Sequence, residues 1–464
     1  MADKSAAQSL KDKLFLKNDG IKGINDVHLK ASEQFAKGYK VFLDNAKTER
    51  EAVAFIIDLA KQNGYSEFKA GKQYKSGDKY YINNRSKAVA LVMVGKESAK
   101  NGINISAAHI DSPRLDLKPN PLYEEADMAL LKTHYYGGIK KYQWTAIPLA
   151  LHGVFALKNG EVINVCIGED ENEPCFVVND LLPHLATEQN KRTLNEGIKG
   201  EELNILVGSY PFKDCEESES VKLNILNILF EKYGVTEADF LSAELMAVPA
   251  FKARDIGFDG SLVGAYGHDD RVCAYAELIA LMDTKNPTKT CVAVFADKEE
   301  VGSNGNTGLA SDFIKHIVRD IADYSDTNVF EVLKNSRCLS ADVNAAFDPT
   351  FSDVNERRNA SYINKGVVIT KYTGSRGKSG TSDASAEYVA SIRNMLDNAN
   401  IIWQTGELGK VDAGGGGTVA MFIANLGVDV VDLGVPVLSM HAPFETISKF
   451  DLYEAYRAFL EFNK

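Results

Sequence analysis

This chain of 464 residues has no surplus of positive charge: 52 Lys and Arg stand against 64 Asp and Glu, a formal net charge of −12. That argues against nucleic acid or an anionic membrane surface as a partner. It does not exclude acidic substrates, because a local cationic pocket can sit in an acidic protein. Long hydrophobic runs are missing too. No segment approaches eighteen consecutive apolar residues, so no transmembrane helix is expected. The opening stretch MADKSAAQSLKDKLFLKNDG lacks the apolar core of a secretory signal, and none is expected. Cysteine is sparse: Cys166, Cys175, Cys215, Cys273, Cys291 and Cys338, with no pair spaced as C-x-x-C. Several lie in apolar runs such as INVCIG and TCVAVF. They read as buried free thiols of a reducing compartment, not a disulfide framework, and point to a cytoplasmic protein.

Hydrophobic content of 45% and charged content of 25% describe an ordinary globular protein, and the length suffices for two or three domains. Residues 26–63 read as helical, with Asn63-Gly64 as the stop. Short β-rich runs follow at 87–95 and 102–111. From about 118 to 245 the character changes. Two alternating runs flank Asn159-Gly160, a strong hairpin signal, and a helix-prone stretch covers 216–234. Helices and buried strands then alternate again, with strands at 289–296, 335–342, 366–372, 400–405 and 428–440. This rhythm predicts an α/β fold interrupted by a β-rich insert: 1–116 and 246–464 form one discontinuous domain, and 117–245 the insert. The tract AGGGGTVA (413–420) lacks the Lys-Ser/Thr of a P-loop, so its glycines suit a close approach of backbone to a ligand or another segment.

The chemistry lies in how the buried runs end. NISAAHIDSP ends in His109 and Asp111, VAVFADKEE in Glu299 and Glu300, RCLSADVNAAFDP in Asp342, and VVDLGVPVLSMHAPFE in His441. A fifth element, GAYGHDDRVCAYAELIAL, carries His268, Asp269 and Asp270 just before an apolar helix. Each ending alone has an ordinary explanation, as a solvated strand end, a turn residue or a satisfied core histidine. Together they are informative, because the C-terminal strand ends of an open α/β sheet gather at one crevice. Imidazole and carboxylate without thiolate suit Zn²⁺ or a similar divalent ion, with Co or Mn as substitutes. The donors outnumber the needs of one catalytic zinc and match two ions roughly 3.5–4 Å apart that share a carboxylate and a water. Of the adjacent glutamates, one can bind metal while the other reaches the water as general base. Asp111 can accept the proton on the other nitrogen of His109. His268 is a pocket neighbour, and His28, His134 and His316 have no role.

The segments AAHIDSPRLDLKP, ADKEEVGS, SADVNAAFDP and SMHAPFE resemble, in this order and over nearly the whole chain, the aspartyl aminopeptidase / vacuolar aminopeptidase I family of zinc exopeptidases. The resemblance implies an α/β/α catalytic domain, an inserted dimerisation domain, self-association into a tetrahedral dodecamer, and removal of single N-terminal residues from peptides. It implies His109, Asp269 (as the bridge), Glu300, Asp342 and His441 as ligands of two metal ions, Glu299 as general base, and Asp111 behind His109. GHDDR departs from the hydrophobic-Asp-Asn form of better-known members. Asp270 is therefore a rival to Asp269, and the stretch is similar to the Asp-Asp-Arg of related dinuclear aminopeptidases. Family members place a histidine from a neighbouring subunit's insert at the active site. The nearest candidate is His184, although Glu188 stands where those members carry a second histidine. Members that prefer N-terminal Asp or Glu use a lysine before the last metal-binding strand. Lys371 in VVITKYTGSRGKSG matches it, although the Arg-Tyr that follows in those members is missing. A related dinuclear carboxypeptidase or N-acyl amino acid deacylase could use the same ligands, given an arginine clamp. A non-catalytic assembly or cargo protein on this scaffold would be expected to have lost part of the metal set.

Overall fold

A computed structural model describes residues 5–214 and 218–464, so Cys215 lies outside the described residues. Its centre is a nine-stranded sheet in the order Ser66–Glu67, Lys79–Asn84, Ala88–Met93, Cys291–Ala296, Asn104–His109, Arg337–Ser340, Asp429–Gly434, Val367–Thr370, Trp403–Thr405. The four strands from Cys291–Ala296 to Asp429–Gly434 run parallel. Parallel strands are covered on both faces, which is why CVAVFA and NISAAH are buried along their whole length. One face packs under the helices Asp26–Asn45, Glu49–Gln62, His268–Asp283, Ala386–Asn398 and Lys449–Phe462. The other packs under Phe313–Tyr324, Val329–Lys334 and Ala420–Ala424. The result is an α/β/α sandwich.

A second, antiparallel sheet of seven strands draws only on residues 114–249 and has its own core around Trp144, Leu149 and Val248. The strand that enters it, Arg114–Glu125, pairs with the strand that leaves it, Ala243–Pro249, through Met246 with Asp116 and Ala247 with Leu115. The segment between therefore departs from and returns to the sandwich at one place. Leu149–Ala156 and Val162–Ile167 form the hairpin around Asn159-Gly160. A small third sheet joins Arg254–Ile256, Leu262–Ala265, Glu445–Ser448, Pro436–Leu438 and Asn344–Ala345.

Three expectations change. Residues 26–63 form two helices, because a capping box of Thr48 and Glu51 starts a new one at Glu49. The apolar run 428–440 is two strands in two sheets, Asp429–Gly434 and Pro436–Leu438. The chain leaves the central sheet at Gly434, where an added Cβ would lie 1.6 Å from the Asp342 carbonyl oxygen. Finally, Cys166 and Cys175 are exposed, whereas Cys273, Cys291 and Cys338 are the buried free thiols expected. Among the described residues, no helix is long and apolar enough to cross a membrane.

Candidate active site

Strand register gathers the site. Ala296 pairs with His109 and Ser340 with Ala107, so the chain emerges from the three neighbouring strands at one level. Asp111, Glu299, Glu300 and Asp342 follow within a few residues. The glutamates sit in the short turn Glu299–Val301 rather than on the strand itself. Asp269 stands at the head of His268–Asp283, where it and Asp270 have non-helical backbone angles. His441 adopts a left-handed conformation, φ 66°, just beyond Pro436–Leu438.

Asp269 is the common neighbour. One of its oxygens, Oδ1, lies 3.1 Å from His109 Nε2, and the other, Oδ2, 3.2 Å from His441 Nε2. His441 Nε2 is also 3.5 Å from Glu300 Oε2, and His109 Nε2 is 3.8 Å from Glu299 Oε2. Two groups of donor atoms result, each close enough to hold one ion: His109, Asp269 and Asp342 in one, Asp269, Glu300 and His441 in the other. A third such group, His109, Glu299 and Glu300, lies between them. Asp270 belongs to none of them. It is fully buried behind the cluster, and neither carboxylate oxygen has a hydrogen-bond partner.

The electrostatics fit a cation site. Burial and the negative charge of Asp269 hold Glu300 well above the usual carboxylate range, and its Oε1 is buried without a partner. Burial, Glu299 and Asp270 do the same to Asp342. Burial pushes Glu299 up to about 7, with Asp111 and Asp269 adding to the effect against His109. Asp269 goes the other way: hydrogen bonds from His109 and His441 outweigh burial and hold it below the usual range. Carboxylates packed this densely require compensating positive charge, which protonated imidazoles or divalent cations can supply. Imidazole nitrogens and carboxylate oxygens are the donor set of zinc.

A second layer fixes these groups. His109 Nδ1 lies 3.0 Å from the Asp111 carbonyl and 3.4 Å from its carboxylate, so the backbone of Asp111 orients the ring as much as its side chain does. The Asp111 carboxylate accepts the backbone N–H of Glu299 at 3.1 Å, that of Glu300 at 3.2 Å, and the Tyr136 hydroxyl at 2.8 Å. Glu445 accepts the backbone N–H groups of both Asp269 and His441, at 3.1 and 2.7 Å. The Gly138 carbonyl accepts from His441 Nδ1 at 2.7 Å. Tyr136, Gly138 and Glu445 were not singled out from sequence. Only Glu445, the acid ending SMHAPFE, carried a readable signal there.

One expected substrate contact is not brought to the cluster. Thr370 lines the cavity beside it, but Lys371, one position on, is exposed and outside the lining. Successive side chains of an extended chain point to opposite sides, so the lysine is directed away. His184, expected to reach the site of a neighbouring subunit, is exposed on the insert, as that role requires, and lines none of the cavities around the cluster of its own chain. His268, expected beside the pocket, is buried beneath it. Its ring is held between the Tyr39 hydroxyl (2.7 Å) and the Val263 carbonyl (3.0 Å), and burial lowers it to about 3.

The cavity, about 380 Å³, extends from Asp269, Glu299, Glu300, Asp342 and His441 to Thr370, Thr418 and Asp432. Gly415, Gly416 and Gly417 of the glycine tract line it. At Gly415, φ is +126° and an added Cβ would lie 2.2 Å from the Gly374 carbonyl oxygen. The glycines thus bring two loops together beside the cavity.

The model of the aminopeptidase I zinc metalloprotease (M18) family matches residues 42–463. A probable M18 family aminopeptidase 1 from Clostridium acetobutylicum is 53% identical over 441 residues, spanning 92% of this chain and 95% of that protein. The crystal structure of an M18 aminopeptidase from Thermotoga maritima superposes with a TM-score of 0.93 at 44% identity, covering 97% of this chain and 100% of the other. The mApe1 dodecamer of S. cerevisiae shares the fold, with a TM-score of 0.75 at 20% identity, covering 93% of this chain and 96% of that one.

Proposed function

The chain belongs to the aminopeptidase I zinc metalloprotease (M18) family and is a metal-dependent aminopeptidase, and from that premise we propose how its residues divide the work. His109, Asp269 and Asp342 would hold one zinc ion, and Asp269, Glu300 and His441 a second, so that Asp269 belongs to both donor groups. The observation that carries this is that the two oxygens of Asp269 face two histidines belonging to different donor groups. When bound, such a pair acidifies a water and polarises the scissile carbonyl. Glu299 takes the proton of the attacking water and returns it to the leaving amine. Its side chain is 19% exposed toward the cavity, whereas that of Glu300 is 3% exposed, which suits a base that meets substrate beside a ligand that does not. Asp111 holds His109 and the Glu299–Glu300 turn in position.

The lining of the cavity contains no arginine or lysine. That favours an aminopeptidase over a carboxypeptidase or deacylase, which needs a cation for a substrate carboxylate. It likewise leaves N-terminal Asp or Glu without a partner. We further propose that residues 117–245 form a dimerisation domain, that the chain assembles into a homododecamer, that the exposed His184 serves a neighbouring subunit, and that the enzyme works in the cytoplasm. Exposed Leu223, Ile228 and Phe230 on Ser220–Tyr233 support an interface on that segment.

The division of labour is tested by Glu299→Gln and Glu300→Gln, assayed for zinc content and peptide hydrolysis. Glu299→Gln should retain zinc and lose on the order of 10²–10⁴-fold in kcat, while Glu300→Gln should lose zinc. Equal zinc in the two variants would refute the assignment.

A further inference from the structure

The cavity at the cluster of histidines and carboxylates does not stand alone. Gly138, Leu408, Gly415, Met440 and His441 line it and also line a second cavity, of about 740 Å³, which continues from it. One wall of the second cavity comes from the insert, where Ile139 and Tyr142 follow the strand Met128–Tyr136. The opposite wall is formed by Phe351 and Val354 of the short turn Pro349–Val354 and by Leu438. The two cavities end differently. The first stops against buried residues of the sheets, Asn344, Thr370 and Asp432. The second opens to the surface, where its residues Tyr142, Val354 and Phe351 are 42%, 51% and 61% exposed. Its charged lining residues are one of each sign, Lys140 and Asp348.

We propose that the second cavity receives the residues that follow the scissile bond, and that it makes the enzyme favour peptides whose second and third residues are apolar or aromatic. The proposal rests on the aminopeptidase reading above and names the leaving side of its substrate. A peptide bound for removal of its first residue has no chain before that residue and a chain of any length after it. A cavity closed by buried strands suits the first residue. The leaving chain needs a route to solvent, and the second cavity supplies one that begins at His441. Exposed apolar side chains around a cavity continuous with a catalytic centre mark a surface built to be covered. An apolar second or third residue against Tyr142, Phe351 and Val354 takes apolar surface of both partners out of water, which a small polar residue cannot do to the same extent. Lys140 and Asp348 balance each other, so the groove as a whole does not select for charge of one sign.

The test uses the zinc-loaded enzyme with pairs of tetrapeptides that share a first residue and continue as Phe-Phe-Gly or Ser-Ser-Gly. The pairs are made with Leu, Asp and Lys first, so that the preference for the first residue cancels within each pair. The wild type should favour the Phe-Phe member in kcat/KM by roughly tenfold or more, chiefly through KM. Phe351→Ser and Tyr142→Ser, at exposed positions on opposite walls, should each lower that ratio by roughly threefold or more. A wild type that does not favour the Phe-Phe member overturns the proposal, and needs no variant to fold. A ratio unchanged in both variants overturns it as well. Release of the first residue from none of the peptides would overturn the aminopeptidase reading, and this proposal with it.

Discussion

Replacing Asp111 by Asn removes one negative charge and turns one acceptor into a donor at a fully buried position. In the native site both carboxylate oxygens are engaged. One accepts the Glu299 N–H, and the other accepts the Glu300 N–H and the Tyr136 hydroxyl. The Tyr136 hydroxyl can rotate, but the two backbone N–H groups cannot, so either orientation of the amide points a donor at one of them. Each variant molecule therefore loses a hydrogen bond to a charged group, worth about 1.5–3 kcal/mol, and buries an unpaired donor at about 1–3 kcal/mol. The turn can relax only by moving Glu299 and Glu300 away from the cluster. Part of the cost then appears as lower stability and part as weaker metal binding, for which loss of an orienting carboxylate typically costs 10–100-fold. Zinc affinity measured by competition with a chelator should fall by roughly that factor, and kcat at saturating zinc should fall too. Tyr136→Phe, which spares both backbone bonds, should weaken zinc by less than about tenfold. If Asp111→Asn changed both quantities by less than about threefold, far below that range, the turn would not depend on Asp111 and the reasoning would be wrong.

Gly434→Ala would set a methyl 1.6 Å from the Asp342 carbonyl oxygen, so the backbone carrying Asp342 must shift. Overpacking of this kind costs about 1–3 kcal/mol, so the urea midpoint and the zinc content should fall together; an unchanged zinc content would show that Asp342 does not depend on this contact. Glu169 receives Lys47, Lys252 and His152 at 2.6, 2.7 and 3.0 Å, which tie the start of the helical layer to the antiparallel sheet. Against burial, these partners, His152 first, hold its carboxyl at about 2, below the reference 4.5. Its contribution is therefore present above pH 4.5 and is lost as pH falls toward 2. Glu169→Gln should destabilise the chain at pH 7, and its difference from wild type should shrink by pH 3; a constant difference would contradict the linkage.

The gathering of histidines and carboxylates was legible because its residues cap otherwise apolar runs, and strand ends of one sheet share a crevice. Less could be read where tertiary contacts decide. The run 428–440 gives no sign that it crosses from one sheet to another, because both strands are buried and apolar. Its break comes from the close passage of Gly434 against Asp342, a contact nearly a hundred residues away in sequence. Tyr136 ends the strand Met128–Tyr136 of the antiparallel sheet and Gly138 follows it, and both reach back to the cluster, which no local pattern announces. Lys371 shows the opposite limit. Position in a motif suggested a pocket, but at a strand end one residue decides between cavity and solvent.

The central claim is that Asp269 spans two ions rather than completing a site for one. It is tested most directly by counting zinc per chain, by elemental mass spectrometry, while the metal-stripped enzyme is titrated back to full peptide hydrolysis. The account predicts that activity reaches its plateau at two zinc ions per chain. Full activity at one ion, with no further zinc bound by the His109 or the His441 side of the cluster, would contradict it.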